Sequence, residues 1–257
     1  MLSIERQEEI LEILNKNKTA TVEALAKELY VSAATIRRDL REMEKQNLIR
    51  RSHGGAMVFQ SSADESAVVL REQQNIAEKR AIANLAVMLI RNGYNLFLDS
   101  STTVGFVVPL FNNFNYLSAT TTGLKNALLL SATNNVKIYI AGGLIANHSN
   151  SITGTDTMDY ITRIHANLAL VSCSGFDLKA GFTDADIEQS KLKRQMRKNS
   201  DKLAMLCDST KIGKKFMSTD FTLKDVDYLI TDKPLPEDYL AAAEKAGCTV
   251  MTPYSRL

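Results

Sequence analysis

Ser32-Ala33-Ala34-Thr35-Ile36-Arg37-Arg38-Asp39-Leu40-Arg41-Glu42-Met43 is the stretch on which the reading of this chain turns. Ser32 stands where a helix N-cap belongs, because its hydroxyl can accept a backbone amide that the first helical turn leaves orphaned. Ile36, Leu40 and Met43 recur at i, i+4 and i+7, so one face of a helix over 33–46 must turn inward. Its other face carries Thr35, Arg37, Arg38 and Arg41. Upstream, Thr21 repeats the capping device ahead of Val22, Leu25, Ala26 and Leu29, and Ile10, Leu11 and Leu14 mark a first helix over 4–15. Two short helices joined at Tyr30-Val31, the second bearing arginines, make a helix-turn-helix pattern.

That pattern suits the major groove of double-stranded DNA, which admits one helix and offers guanine O6 and N7 to an arginine. Between 32 and 58 the bases Arg37, Arg38, Arg41, Lys45, Arg50 and Arg51 outnumber the acids Asp39, Glu42 and Glu44. The first helix, with Glu5, Glu8, Glu9 and Glu12, is acidic and should point away from DNA. Leu48-Ile49-Arg50-Arg51 and Ala56-Met57-Val58 can pair as a hairpin around His53-Gly54-Gly55, a wing whose Arg51 and His53 would reach phosphate or the minor groove. The candidate DNA contacts are Ser32, Ala34, Thr35, Arg37, Arg38, Arg41, Arg51 and His53. The competing reading is a solvated helix whose arginines pair with Asp39 and Glu42.

Arg6, Ile10 and Leu14, then Ser32 to Leu40, then Leu48-Ile49-Arg50-Arg51-Ser52-His53-Gly54-Gly55-Ala56, closely resemble the DeoR family of bacterial transcription regulators. The resemblance implies that about 20–39 is the DNA-binding motif.

Beyond the polar stretch Gln60-Ser61-Ser62-Ala63-Asp64-Glu65-Ser66 the pattern changes. Apolar or β-branched strands over 95–98, 136–141, 168–172, 203–207 and 228–231 alternate with helices over 76–91, 124–132, 156–164, 189–199 and 236–246, which predicts a mostly parallel α/β sheet. The expected division is a winged helix-turn-helix domain over 1–58, a hinge over 59–75 and an α/β domain over 76–257.

Four segments rich in hydroxyls or glycine punctuate the second domain: Asp99-Ser100-Ser101-Thr102-Thr103, Thr120-Thr121-Thr122-Gly123, Gly142-Gly143 and Asp208-Ser209-Thr210-Lys211. Three of them directly follow a predicted strand, where open α/β sheets bind ligands. Hydroxyls and exposed amides suit a phosphate, and Lys211 offers an anion a positive charge. These loops also resemble the DeoR-family sensor, a fold similar to ribose-5-phosphate isomerase and glucosamine-6-phosphate deaminase. By that likeness Asp99, Ser100, Ser101, Thr102, Thr103, Thr121, Thr122, Gly123, Gly142, Gly143 and Lys211 would line a pocket for a phosphorylated sugar, with Asp177 near the sugar hydroxyls. Relatives often carry Asn at the place of Thr122 and an acid near Gln189.

The alternative is a sugar-phosphate isomerase with a DNA-binding appendage. Isomerisation needs a carboxylate base, yet Gly175-Phe176-Asp177-Leu178-Lys179-Ala180 lacks the second aspartate of the isomerase motif, and the glutamate position falls near Gln189, beside Glu188. No enzymatic activity and no cofactor are therefore expected. Cys173, Cys207 and Cys248 are dispersed among apolar or small neighbours, as reduced buried thiols, and His53, His148 and His165 lack ligand spacing, so no metal is expected. With 45% hydrophobic and 23% charged residues, no apolar leader and no unbroken run of about 18 apolar residues, the chain reads as globular, cytoplasmic and without a membrane partner. A net charge of +2 neither requires nor excludes DNA. Symmetric half-sites on operator DNA call for a homo-oligomer, dimer or tetramer, and the DeoR resemblance implies that it represses a sugar-metabolism operon until a sugar phosphate binds.

Overall fold

A computed structural model describes residues 3–45, 48–52, 54–57, 68–146 and 149–255, which form two compact units, Met1–Leu70 and Arg71–Leu257. In the first, α1 (Ser3–Asn17), α2 (Val22–Glu28) and α3 (Ala33–Lys45) enclose Ile10, Leu14, Leu25, Ile36, Leu40 and Met43, the residues whose helical spacing is plain in the sequence. Thr21 caps α2 by accepting from Ala24 N at 3.1 Å, and Ser32 accepts from Thr35 N at 3.1 Å. Between the helices Tyr30 takes a left-handed φ of 53°, the geometry that makes the connection tight.

The wing is shorter than the sequence suggests. Its strands are β2 (Arg50–Ser52) and β3 (Gly55–Met57), while Leu48 and Ile49 leave the strand to enter the core. A third strand, β1 (Thr19–Thr21), pairs antiparallel with β3 and was not foreseen. Three residues between two helices carry too little periodicity to show. Gly55 is required there, since a Cβ would lie 3.0 Å from Thr21 Cα and closer still to Ala20 O.

Arg6 on α1 donates to Asp39 on α3 from Nε at 2.5 Å and Nη2 at 3.1 Å, with both side chains buried. Asp39 holds the guanidinium above its ordinary value, chiefly through the hydrogen bond. The carboxylate on the recognition helix thus faces inward, and the reading in which Asp39 neutralises the exposed arginines is wrong.

α4 (Val68–Gln73) runs across the division between Leu70 and Arg71, and the second unit continues with α5 (Ile76–Ala86), β4 (Asn95–Leu98), α6 (Thr102–Gly105), β5 (Leu117–Thr121), α7 (Leu124–Ser131), β6 (Val136–Ile140), β7 (Leu144–Ala146), β8 (Ser151–Thr153) and α8 (Thr155–Thr162). It closes with β9 (Ala166–Ser172), β10 (Gly175–Asp177), β11 (Gly181–Asp184), α9 (Ile187–Lys198), β12 (Ser200–Leu206), β13 (Ser218–Phe221), β14 (Tyr228–Ile230), α10 (Glu237–Ala246) and β15 (Thr249–Met251). Seven strands form one parallel sheet in the order β15-β14-β12-β9-β4-β5-β6. Alternate residues face opposite layers: Leu96, Leu98, Leu168 and Leu170 on one side, Phe97, Ala169, Val171 and Met205 on the other. Chain order reverses between β4 and β9, so the carboxyl ends of these strands flank a crevice, the usual ligand position in such sheets.

The predicted helix over 76–91 ends early, at Ala86, and a 3₁₀ turn over Val87–Leu89 completes it. The segment over 120–123 was expected to be a loop, but Thr120 and Thr121 belong to β5. Their β-branched side chains are buried in the sheet, a place such residues suit.

Removing one partner of the Arg6–Asp39 pair strands a buried charge. Asp39→Ala should cost about 3 kcal/mol in urea unfolding of the full chain, whereas Arg6→Met with Asp39→Leu should cost much less. Equal losses in the single and double variants would contradict the pairing.

Candidate functional site

The face of α3 opposite the core presents Ala34, Arg37, Arg38 and Arg41, all exposed, with Ser32 exposed and Thr35 half-buried at its start. Arg37 meets Glu23 only at 3.4 Å between two exposed side chains, a contact worth little in water. Arg51 is more engaged: its amide donates to Glu44 Oε1 at 3.1 Å and its guanidinium lies 3.6 Å from Oε2, which ties the wing to α3. His53 lies outside the described residues. With Asp39 withdrawn into the core, the face is more positive than a count along the sequence suggests.

At the crevice of the second unit the decisive group is Lys193 of α9. Its ammonium donates to Ser172 O at 2.6 Å, pairs with Asp184, and lies 3.5 Å from Asp99 Oδ2. Burial opposes the charge, but Asp184, Asp99 and Asp220 outweigh it and raise its pKa. Asp99 is saturated by the fold itself, Oδ1 accepting from Ser101 N and Oδ2 from Ser172 N, each at 2.8 Å. It therefore pins the β4 loop to β9.

The neighbouring loops meet at the same place. Ser100 donates to Gln189 Oε1 at 2.9 Å, and Gln189 Nε2 donates to Ser151, whose hydroxyl lies 2.6 Å from that of Ser149. Ser101 caps α6, Thr102 sits beside it half-buried, and Thr103 is buried. Thr121 Oγ1 accepts from Gly123 N at 3.1 Å and Thr122 O from Ile152 N at 2.7 Å. A Cβ on Gly123 would lie 2.8 Å from Ser100 Cα, so the two loops touch only because that residue is glycine. No side chain caps α7, which Gly123 precedes. Gly142 and Gly143 are exposed; Gly142 O accepts from Thr157 Oγ1 at 2.8 Å, and Thr157 leaves no room for a Cβ on Gly143.

Lys211 is largely buried rather than mobile. It donates to Ser172 Oγ at 2.9 Å and lies 3.4 Å from Asp208, whose charge raises its pKa against the cost of burial. Asp177 is joined by its described contacts to none of these loops. Its Oδ1 accepts from Lys179 N and Ala180 N, each at 2.9 Å, and from Lys215 at 3.3 Å. Loops 99–103 and 121–123 are thus brought together, Lys211 reaches Ser172 at the same crevice, and Asp177 closes its own turn.

Sequence reading missed the buried acids that surround Lys193. Ser174 donates to Asp184 Oδ1 at 2.7 Å and Ser190 donates to Asp220. Burial pushes the Asp184 carboxyl up, but the Lys193 charge and donors around it bring it below its ordinary value. Burial, then the Asp184 charge, pushes Asp220 up to about 10. Asp220 is thus a neutral acid beside an ionised one, and its Oδ2 finds no donor among the described residues. Only the acidic–basic spacing of Asp184, Lys193 and Asp220 hinted at this, and such spacing is common on surfaces.

The segment entering this unit is tied to the same loops. Asn75, left-handed at φ 54°, donates to Thr210 Oγ1 at 3.0 Å and to Asp208 Oδ1 at 3.4 Å. Glu72 pairs with Lys125 in the first turn of α7. Lys79 is buried, donating to Gln74 O at 2.7 Å and to Arg71 O, and burial first, Lys211 second, lowers its pKa to about 8.

Residues 6–62 match the family model described as the DeoR-like helix-turn-helix domain, and residues 74–233 that of the DeoR C-terminal sensor domain. The chain is 34% identical to the HTH-type transcriptional regulator GolR of Listeria innocua, over 97% of this chain and 98% of that one. It is 31% identical to the glycerol-3-phosphate regulon repressor of Escherichia coli, covering 92% and 93%. Ribose 5-phosphate isomerase from Plasmodium falciparum aligns at a TM-score of 0.38 and 12% identity over 52% of each chain, a likeness that carries no argument about chemistry.

Asp220 keeps its proton in the fold to about pH 10, while the unfolded chain releases it near the ordinary value of 3.8. The folded state then binds more protons between those limits, so this group's contribution to stability falls as pH rises through them. Asp220→Asn is neutral in both states. The stability of the wild type minus that of the variant should therefore drop between pH 6 and 8, by up to about 1.4 kcal/mol per pH unit. A difference independent of pH would show that Asp220 is ionised.

Proposed function

The chain belongs to the DeoR family of DNA-binding transcription regulators, and on that footing we propose that it represses a sugar-metabolism operon and releases it when a phosphorylated sugar binds. The observation that carries the second half is the crevice at the ends of β4 and β9, where hydroxyl and glycine loops converge beside Lys193 and Lys211. The phosphate takes the uncapped start of α7 and the hydroxyls of loops 99–103 and 121–123, where amides and the helix dipole favour an anion. One relative, of Escherichia coli, is named for a phosphorylated polyol as the glycerol-3-phosphate regulon repressor.

Recognition of operator DNA falls to α3, with Ser32, Ala34, Thr35, Arg37, Arg38 and Arg41 toward the major groove and the wing, Arg51 and His53, toward the backbone. Two copies at least, in the cytoplasm, place two such helices on symmetric half-sites. Occupancy reaches the hinge over 59–75 through its far end. An anion at α7 competes with Glu72 for Lys125, and one near Lys211 perturbs the Asp208–Asn75 contact. The ligand acts by preferring the arrangement in which the hinge is displaced.

Enzymatic turnover is not part of this reading. Gln189 turns an amide into the crevice, and Glu188 points outward to Lys191 at 2.6 Å. An amide takes up no proton as a base.

Arg38→Ala should weaken binding to the operator by about 1–3 kcal/mol in fluorescence anisotropy while leaving ligand-induced stabilisation intact. Unchanged affinity would remove Arg38 from the contacts. In a thermal-shift screen of sugar phosphates against inorganic phosphate, a true effector at 100 times its Kd should stabilise the fold by about 2.7 kcal/mol. Lys211→Met should lose that response and keep ligand-free operator binding; no response in the wild type to any sugar phosphate would overturn the sensor. Asn75→Ala should still bind the ligand but no longer release DNA.

A further inference from the structure

The outermost strand of the large sheet, β6, is unlike the other six. It pairs with β5 on one side, and among the described residues no strand pairs with its other edge. Lys137, Ile138, Tyr139 and Ile140 are all exposed, Ile138 and Tyr139 by little more than a third with α7 packed against the strand, so β6 is open along its edge and partly covered on its faces. Apolar exposure continues around it. Leu144, 72% exposed, and Ile145 follow on β7, and Leu128, 71% exposed, projects from α7, the helix packed against β6.

A soluble protein normally blunts such an edge with proline, several charges, a bulge or a covering element. Here Val136-Lys137-Ile138-Tyr139-Ile140 has no proline, one charge, and an unbroken register with β5. An open edge of this kind is completed by another strand.

We propose that β6 is the seam of a homodimer, in which a second copy of this chain lays its own β6 antiparallel against it, with Ile138 opposite the partner's Ile138. Two seven-stranded sheets then become one of fourteen strands. The charge pattern selects a second copy and this centre. A two-fold axis at Ile138 sets Lys137 opposite the partner's Tyr139 and Val136 opposite the partner's Ile140. The ammonium of Lys137 already lies 5.7 Å from the centroid of Tyr139 in its own chain, so the ring is placed to receive a cation from either copy. An axis one residue away, at Lys137, would set two ammonium groups face to face. Pairing β6 with the opposite edge strand, β15, would propagate without end, whereas the two-fold arrangement closes on itself.

The seam continues into the candidate pocket. β6 runs through Ala141 into Gly142 and Gly143, and Gly142 O is held by Thr157. Moving the glycine loop therefore moves the end of the paired strand, which gives ligand and dimer geometry a shared element. The seam itself does not depend on the identity of any ligand.

The test uses the full chain. In sedimentation velocity, Ile138→Glu should halve the wild-type particle mass with the circular dichroism spectrum retained. A monomeric wild type, or an unchanged mass in a folded variant, would overturn the seam. The register is read by single cysteines, since opposed Cα atoms in an antiparallel pair lie about 4.5–5.5 Å apart, within disulfide range. Cys173, Cys207 and Cys248 are buried and leave a low background. On treatment with diamide, Ile138→Cys should be captured as a covalent dimer far faster than Lys137→Cys, whose opposite residue is tyrosine. Equal capture of both, or capture of neither, would refute the proposed pairing, and this second readout stands even if Ile138→Glu fails to fold.

Discussion

An ammonium group with almost no water around it sits where the strand order reverses in the parallel sheet, and the site depends on it. Lys193 of α9 reaches the end of β9 through Ser172 O, the end of β11 through Asp184, and the β4 loop through Asp99. A buried lysine remains charged only if charge and hydrogen bonds replace the lost hydration. Asp184 and Asp99 supply the charge, and because Asp220 keeps its proton the cluster avoids a third negative charge. The β4 loop is fixed from beneath by this cluster.

The DNA-reading unit solves a similar problem with two residues. Arg6 and Asp39 satisfy each other inside, so Asp39 is withdrawn from the outer face of α3 where Arg37, Arg38 and Arg41 are exposed. On that helix Asp39 turns inward to hold α1, while Arg37, Arg38 and Arg41 stay exposed. Glu44 performs the same service for the wing through Arg51. Arg6 and Arg51 therefore hold the module together, while the helix period turns Arg37, Arg38 and Arg41 outward.

Much of the candidate site was legible because it rests on local rules. Caps at Thr21 and Ser32, the i, i+4, i+7 spacing of Ile36, Leu40 and Met43, and hydroxyl or glycine runs next to strands all act within a few residues of themselves. Asp99 and Lys211 were visible as residues of the crevice, but their partners within the fold were not. Asp99 accepts from two backbone amides, and Lys211 is held by Ser172 and Asp208. The short strands β1, β7, β8, β10, β11, β13 and β15 escaped notice because three or four residues hold at most two periods of alternation.

Taken alone, the sequence determined that a capped, arginine-bearing helix precedes a parallel α/β unit, because propensity, capping and hydrophobic period are properties of neighbouring residues. Only the tertiary structure decided which charges are spent inside. That Asp39 faces Arg6, that Gln189 bridges Ser100 to Ser151, and that Asp184, Lys193 and Asp220 share one buried cluster depends on residues distant in sequence. The physical reason is that a side chain's charge state and partners follow from the dielectric and the donors around it, and these exist only once the chain has folded.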